Sequence, residues 1–172
     1  MNEHILTLAR ENAPCYLYEY DVMKAQVETL RQTFPQYDLL YSIKANPFPP
    51  VVRALAALGL GADAASAPEV LLSRTCGMAK EDIFFSAAGK SDAALEAAWD
   101  GGEIIADSLG EVARIGALCR RKGQRRAIGV RMNPAFGMGG AAGTSSKFGI
   151  NEEDLPQLKA LLDDLPVAVE GI

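Results

Sequence analysis

The chain has 172 residues, 49% of them hydrophobic and 23% charged, which is long and apolar enough for a domain with a real core and too apolar for a disordered segment. A formal net charge of -5, with no basic run longer than Lys122 to Arg126, argues against a nucleic-acid surface, because phosphate binding needs clustered Lys and Arg. Three widely spaced cysteines (Cys15, Cys76 and Cys119) and a lone histidine, His4, argue against a zinc site, a disulfide framework and a Ser-His-Asp triad.

From Asn2 to Asn12 the residues Ile5, Leu6, Leu8 and Ala9 recur at helical spacing, with Asn2 as cap and Pro14 as terminator. Tyr16 to Tyr20 reads as a strand, and Asp21 as the N-cap of a helix carrying Val22, Ala25, Val27 and Leu30 to about Phe34. A strand-then-helix rhythm follows. Strands are expected at Asp38–Lys44, Gly61–Ala65, Ile83–Ser86, Glu103–Ala106, Ala127–Asn133 and Val167–Ile172. Helices are expected between them at Pro50–Leu58, Ala67–Cys76, Asp92–Trp99, Leu109–Lys122 and Glu152–Leu165. Gly59, Gly77, Gly101 and Gly123 fall just past helix ends, where a left-handed cap favours glycine. Short apolar strands alternating with helices imply a parallel sheet. Periodicity alone does not choose between a complete doubly wound sheet and a (β/α)₈ TIM barrel cut off after its sixth strand. Nothing reads as a cleaved leader or a membrane span, so a cytoplasmic protein with no membrane partner is expected.

One stretch organises the candidate chemistry: Tyr41-Ser42-Ile43-Lys44-Ala45-Asn46-Pro47, an apolar strand ending in a lysine and cut by proline. Parallel α/β folds place their chemistry at the C-terminal ends of strands. A buried lysine is driven toward the free amine, the form that attacks carbonyls and makes Schiff bases, so a carbonyl cofactor or substrate gives Lys44 a purpose. The alternative is a stem packed along the rim with its ammonium in water.

Gly61-Ala62-Asp63-Ala64-Ala65-Ser66-Ala67-Pro68-Glu69 repeats that arrangement. Asp63 is placed to pair with Lys44, and Glu69 to reach the same mouth, although Ser66 to Glu69 is also a capping box. In Val130-Arg131-Met132-Asn133-Pro134 a guanidinium among apolar neighbours needs an anion, either a ligand's or that of Asp63 or Asp107. Gly137 to Ser146 is the longest irregular piece. Gly137, Gly139 and Ala142 match a dinucleotide fingerprint only nominally, because no helix opens there, and a loop closing over substrate or a plain linker are the two readings.

Together the Lys44, Asp63–Glu69, Phe85-Ser86-Ala87-Ala88-Gly89-Lys90, Arg131 and Ser146-Lys147-Phe148-Gly149-Ile150 segments resemble the fold-type III pyridoxal-phosphate decarboxylases, the diaminopimelate, ornithine/arginine and carboxynorspermidine group. The resemblance implies a (β/α)₈ barrel followed by a β domain, working as a homodimer on a small amino-acid substrate. It makes Lys44 the lysine of the internal aldimine, sets Asp63 beside it, puts Glu69 and Arg131 in the surround of the pyridoxal phosphate, and places Lys147 near the entrance. It also implies that residues 1–20 carry a strand for the β domain and that 21–172 form an incomplete barrel. The family's later histidine segment, glycine-rich phosphate loops, acid for the pyridine nitrogen and β-domain cysteine have no counterpart in these residues. A chain of this extent is therefore expected to show little or no activity by itself, or to need a complementary chain. A pyridoxal-binding or alanine-racemase-like barrel is the other alternative.

Overall fold

The computed structural model describes residues 3–135 and 147–172, in two compact units, Met1–Tyr37 and Asp38–Ile172. The first contains α1 (Glu3–Asn12) and α2 (Tyr20–Thr33). Asn2, expected as a cap, lies outside the described residues. The strand expected at Tyr16 to Tyr20 is not formed: the segment joins no ladder among the described residues, and Tyr16 is 91% exposed. Aromatic alternation does not hold a strand without a partner to take its N–H and C=O groups. Helix α2 begins one residue before the expected Asp21, after Glu19, and Asp21 sits in its first turn, where a negative charge suits the helix dipole.

The second unit holds β1 (Leu40–Ser42), α3 (Pro49–Ala57), β2 (Gly61–Ala64), α4 (Ala67–Thr75), β3 (Ile83–Ser86), α5 (Asp92–Ala98), β4 (Glu103–Ala106) and α6 (Leu109–Lys122). After these come β5 (Arg126–Val130), β6 (Met132–Asn133), β7 (Ile150–Asn151), α7 (Leu155–Asp164) and β8 (Val167–Gly171). The main sheet is parallel throughout and its order is β1-β2-β3-β4-β5-β8, each strand lying beside the one before it. That settles the question periodicity left open. A doubly wound sheet reverses direction at a switch point, whereas uninterrupted succession is the winding of a (β/α)₈ barrel, of which these are six strands.

Register and burial divide the sheet into two faces. Ala62, Ala64, Ile83, Phe85, Ile104, Ala106, Ile128 and Val130 are buried under the helices, where they join Val52, Val70, Leu95, Val112, Ile115 and Leu118. The alternate residues Asp63, Phe84, Ser86, Glu103, Ile105, Ala127 and Gly129 are half-buried on the opposite face. Period-2 alternation in a parallel sheet therefore marks one face packed under helices and one face turned to the barrel axis. An apolar groove of about 320 Å³ lies along α7 and the β8 edge, lined by Met132, Leu155, Leu158, Leu162, Val169 and Ile172 among others.

Two boundaries depart from expectation in ways that matter for the site. The strand expected at Asp38–Lys44 stops at Ser42, because Ile43–Ala45 coil into a 3₁₀ turn closed by the Asn46 N–H on the Ile43 carbonyl at 3.2 Å. The Asn46 side chain then accepts the Phe48 N–H at 3.0 Å, and Pro49 opens α3. The strand expected at Ala127–Asn133 breaks at Arg131: β5 stays in the main sheet, while β6 pairs with β7 in a separate two-stranded ladder. Gly59, Gly77 and Gly123 take positive φ as expected of helix-end glycines, but Gly101 does not. At Gly101 a Cβ would stand 2.7 Å from Val70 Cγ1, so close packing between helices explains that glycine.

Candidate functional site

Lys44, Asp63, Glu69 and Arg131 all fall at or just past the C-terminal ends of β1, β2 and β5, which form one edge of one sheet. Among the described residues no hydrogen bond or ion pair joins any of the four to another. Each is held by its own local device.

Lys44 lies in the turn after β1 and is exposed. The expectation that it is buried in a strand is overturned, since Ile43, fully buried among Val52, Ala62 and Ala64, is the residue that fills the core there. Asp63 does not pair with Lys44. Its Oδ2 accepts the Ser42 hydroxyl at 3.1 Å, across a register that sets Ser42 opposite Asp63. The carboxylate thus stands on the axis-facing side of β2, two residues along the neighbouring strand from the lysine.

Glu69 behaves as its sequence context predicts for a cap. Its N–H donates to Ser66 Oγ at 3.4 Å, and its Oε2 accepts the Ala65 N–H at 2.7 Å, closing the strand-to-helix turn from both sides. Half-buried at the mouth, it leaves Oε1 over for other work.

Arg131 begins the β5–β6 break. Its N–H donates to the Ala106 carbonyl at 2.8 Å, and its guanidinium lies 3.5 Å from Asp107 Oδ1 and 4.7 Å from the centre of the Phe148 ring. Of the two acids considered for it, Asp107 is the partner. Lys147, itself exposed, places its ammonium 5.2 Å from the same Phe148 ring, so the aromatic ring links two cations that the sequence alone kept apart. Gly149 makes this possible: it has φ +86° and packs so close that a Cβ would stand 3.0 Å from the Arg131 carbonyl oxygen. The glycine-rich loop from Gly137 to Ser146 lies outside the described residues.

Sequence reasoning missed the most enclosed charges at this edge. The Lys90 ammonium and the Glu111 carboxylate are 2.9 Å apart with side chains 0% and 1% exposed. Lys90 Nζ also donates to the Ala87 and Ile105 carbonyls at 2.7 and 2.6 Å, while Glu111 accepts the N–H groups of Lys90 and Asp107 at 2.8 and 3.0 Å. Burial pushes the Lys90 ammonium below its ordinary value, against the pull of Glu111. A signal was present: Ser108-Leu109-Gly110-Glu111 has the same capping-box spacing as Ser66 to Glu69.

With this geometry in view, comparison with known proteins is specific. Residues 20–172 match the model of the pyridoxal-dependent decarboxylase family's pyridoxal binding domain. The chain is 34% identical over 161 residues to the L-glutamyl-[BtrI acyl-carrier protein] decarboxylase of Niallia circulans, covering 90% of this chain and 37% of that protein. It is 32% identical over 169 residues to the diaminopimelate decarboxylase of Deinococcus radiodurans, covering 95% of this chain and 43% of that one. A crystal structure of Helicobacter pylori diaminopimelate decarboxylase complexed with L-lysine superimposes with a TM-score of 0.81 at 23% identity, over 99% of this chain and 45% of that one. The chain therefore spans less than half the length of these relatives. No helix among the described residues is long and apolar enough to cross a membrane.

Proposed function

Because this chain belongs to the pyridoxal-dependent decarboxylases through their pyridoxal-binding domain, we propose that it is the N-terminal part of a decarboxylase acting on a basic or diamino acid, diaminopimelate-like in the first instance, with Lys44 as its cofactor lysine. The observation that carries the reading is the exposed amine of Lys44, joined to no acid among the described residues, at the C-terminal edge of β1, with Asp63 and Glu69 on the adjoining strand end. The donor set fits pyridoxal phosphate at its aldehyde end: a primary amine open to a carbonyl, carboxylates close by, and a guanidinium on the same rim. Bound there, the cofactor supplies the electron sink for loss of a carboxylate.

The chain's own residues bind and orient. Lys44 presents the amine from a turn whose backbone is closed by Asn46. Asp63, steadied by Ser42, contributes negative charge from the neighbouring strand end. Glu69 fixes the β2–α4 turn and keeps one oxygen for a donor on cofactor or substrate. Arg131, backed by Asp107 and Phe148, offers N–H groups to an anion, and Lys147 stands at the approach to the same ring. The half-buried apolar face carrying Phe84, Ile105 and Ala127 suits a complete barrel interior, in which layered side chains exclude water. The reading extends to a cytoplasmic homodimer for the whole protein, and to little or no turnover by these residues without the remaining strands.

Incubating the chain with pyridoxal phosphate, reducing with borohydride and mapping the adducts tests the assignment. Lys44 is expected to carry the dominant label. Label spread evenly over the exposed lysines would refute a formed cofactor site.

A further inference from the structure

Nothing in the pyridoxal reading uses Lys90 or Glu111, yet they are the most deeply buried charged residues described. An ammonium has three N–H groups, and Lys90 finds three acceptors: the Ala87 carbonyl just past β3, the Ile105 carbonyl near the end of β4, and Glu111 Oε2 in the first turn of α6. Glu111 in turn takes the main-chain N–H of Lys90 and that of Asp107. The pair thus ties together the ends of two strands and the start of a helix, and its last contact fixes the backbone of the residue whose carboxylate faces Arg131. Arg114 closes the outer side, donating to the Lys90 carbonyl at 2.7 Å.

A buried ion pair is a poor device for stability alone, because apolar side chains of similar volume often serve as well or better. What it adds is direction: every acceptor and donor has one place. We propose that Lys90 and Glu111 are positioning residues, which lock the main chain at Asp107 so that its carboxylate holds the Arg131 guanidinium against Phe148 at the rim. Only the catalytic meaning of that arginine rests on the pyridoxal reading; the order of contacts does not.

The test uses the whole 172-residue chain and phenylglyoxal, with the modification rate of each arginine followed by peptide mass spectrometry. In Lys90→Met/Glu111→Gln both charges are gone, and the one amide oxygen of the new side chain can accept only one of the two N–H groups that Glu111 takes on separate oxygens, so the main-chain lock is loosened. This variant is expected to stay folded by circular dichroism while Arg131 reacts roughly five-fold faster, and exposed Arg53 on α3 is unchanged. Asp107→Asn is expected to give the same rise with the pair intact, and the triple variant no further rise, as contacts acting in series require. An unchanged Arg131 rate in the double variant, a multiplicative rise in the triple, or a double variant that does not fold would each overturn the proposal, the last because the pair would then be making the fold. Borohydride labelling of Lys44 in the same preparations reports on the cofactor reading separately. An unlabelled Lys44 in the unsubstituted chain removes that reading and leaves the arginine result to decide this one.

Discussion

Glu69 and Glu111 hold the same position in two strand-to-helix turns, each three residues after a capping serine and each bent back onto the N–H of the residue before that serine, at 2.7 and 3.0 Å. In both cases the preceding strand contributes a lysine at the same edge, Lys44 after β1 and Lys90 after β3. The two constellations differ in closure. Lys90 is locked onto Glu111 with all its donors spent, whereas Lys44 is exposed and joined to no acid among the described residues. The proposed cofactor amine has to be left unspent to capture an aldehyde, and of these two lysines Lys44 is the exposed one.

Breaking the closed pair from one side should be costly. Lys90→Met alone leaves the buried Glu111 carboxylate with only the half-exposed Arg114 guanidinium, 3.9 Å away, for a counter-charge, and a loss of about 3 kcal/mol is expected from urea denaturation. The double variant Lys90→Met/Glu111→Gln is expected to recover much of it. Equal stability of Lys90→Met and the double variant would mean that the charges are hydrated in solution.

The same lysine gives a pH signature with a definite sign. Burial, the largest influence on it, lowers the Lys90 ammonium from its ordinary value of 10.5. Between the depressed value and 10.5 the unfolded chain binds more protons than the folded one, so the contribution of Lys90 to stability rises with pH across that window. The stability difference between the unsubstituted chain and Lys90→Met, followed by denaturation as pH climbs toward 10.5, should shift in favour of the lysine. A shift toward the variant would contradict the direction.

Glu69 offers a smaller and separable effect. As a reciprocal cap its side chain satisfies one backbone donor, and Glu69→Ala is expected to cost about 1 kcal/mol, with Glu69→Gln close to neutral. If Glu69 also serves the cofactor through its second oxygen, Glu69→Gln will slow Lys44 labelling while leaving the melting temperature almost unmoved.

Much of the barrel is legible in the sequence. The strands Ile83–Ser86 and Glu103–Ala106 and the helix Leu109–Lys122 fall where hydrophobic period and glycine stops put them, because local signals and burial agree there. What failed depended on partners far away in sequence. Tyr16 to Tyr20 has strand composition but joins no ladder among the described residues, and the break at Arg131 is fixed by the ladder with Ile150 and Asn151, well over a dozen residues on in sequence. The apolar Tyr41 and Ile43 favour a strand through Lys44, whereas the Asn46 and proline signals that coil Ile43–Ala45 act from the other side. The Lys90–Glu111 pair was hidden for a similar reason: a Gly-Lys at a strand end looks like a solvated turn until the carboxylate 21 residues on closes over it.

Lys44 itself should be dispensable to the fold. It is exposed and neither packs in the core nor pairs with an acid among the described residues, so Lys44→Ala is expected to change stability by no more than about 0.5 kcal/mol. The same variant is expected to lose the dominant borohydride adduct. A large loss of stability would mean that the lysine is a structural strut, and would weaken its assignment as the cofactor amine.

Gly149 carries the last expectation, because two separate demands meet at one residue. Its φ of +86° disfavours any side chain, and a Cβ would also stand 3.0 Å from the Arg131 carbonyl oxygen and the Met132 carbonyl carbon and 3.1 Å from the Asn133 nitrogen, all of them backbone. Gly123 makes only the first demand: φ is +64° and nothing lies within 4 Å of its Cβ position. Gly123→Ala should therefore cost about 1 kcal/mol of conformational strain, whereas Gly149→Ala adds a displacement of the β6–β7 ladder and should cost about 2–3 kcal/mol. Because Phe148 precedes Gly149 and faces Arg131 at 4.7 Å, Gly149→Ala should also raise the phenylglyoxal reactivity of Arg131, and Gly123→Ala should not. Equal melting temperatures and equal arginine reactivity in the two variants would show that the close approach at Gly149 does not hold the rim together.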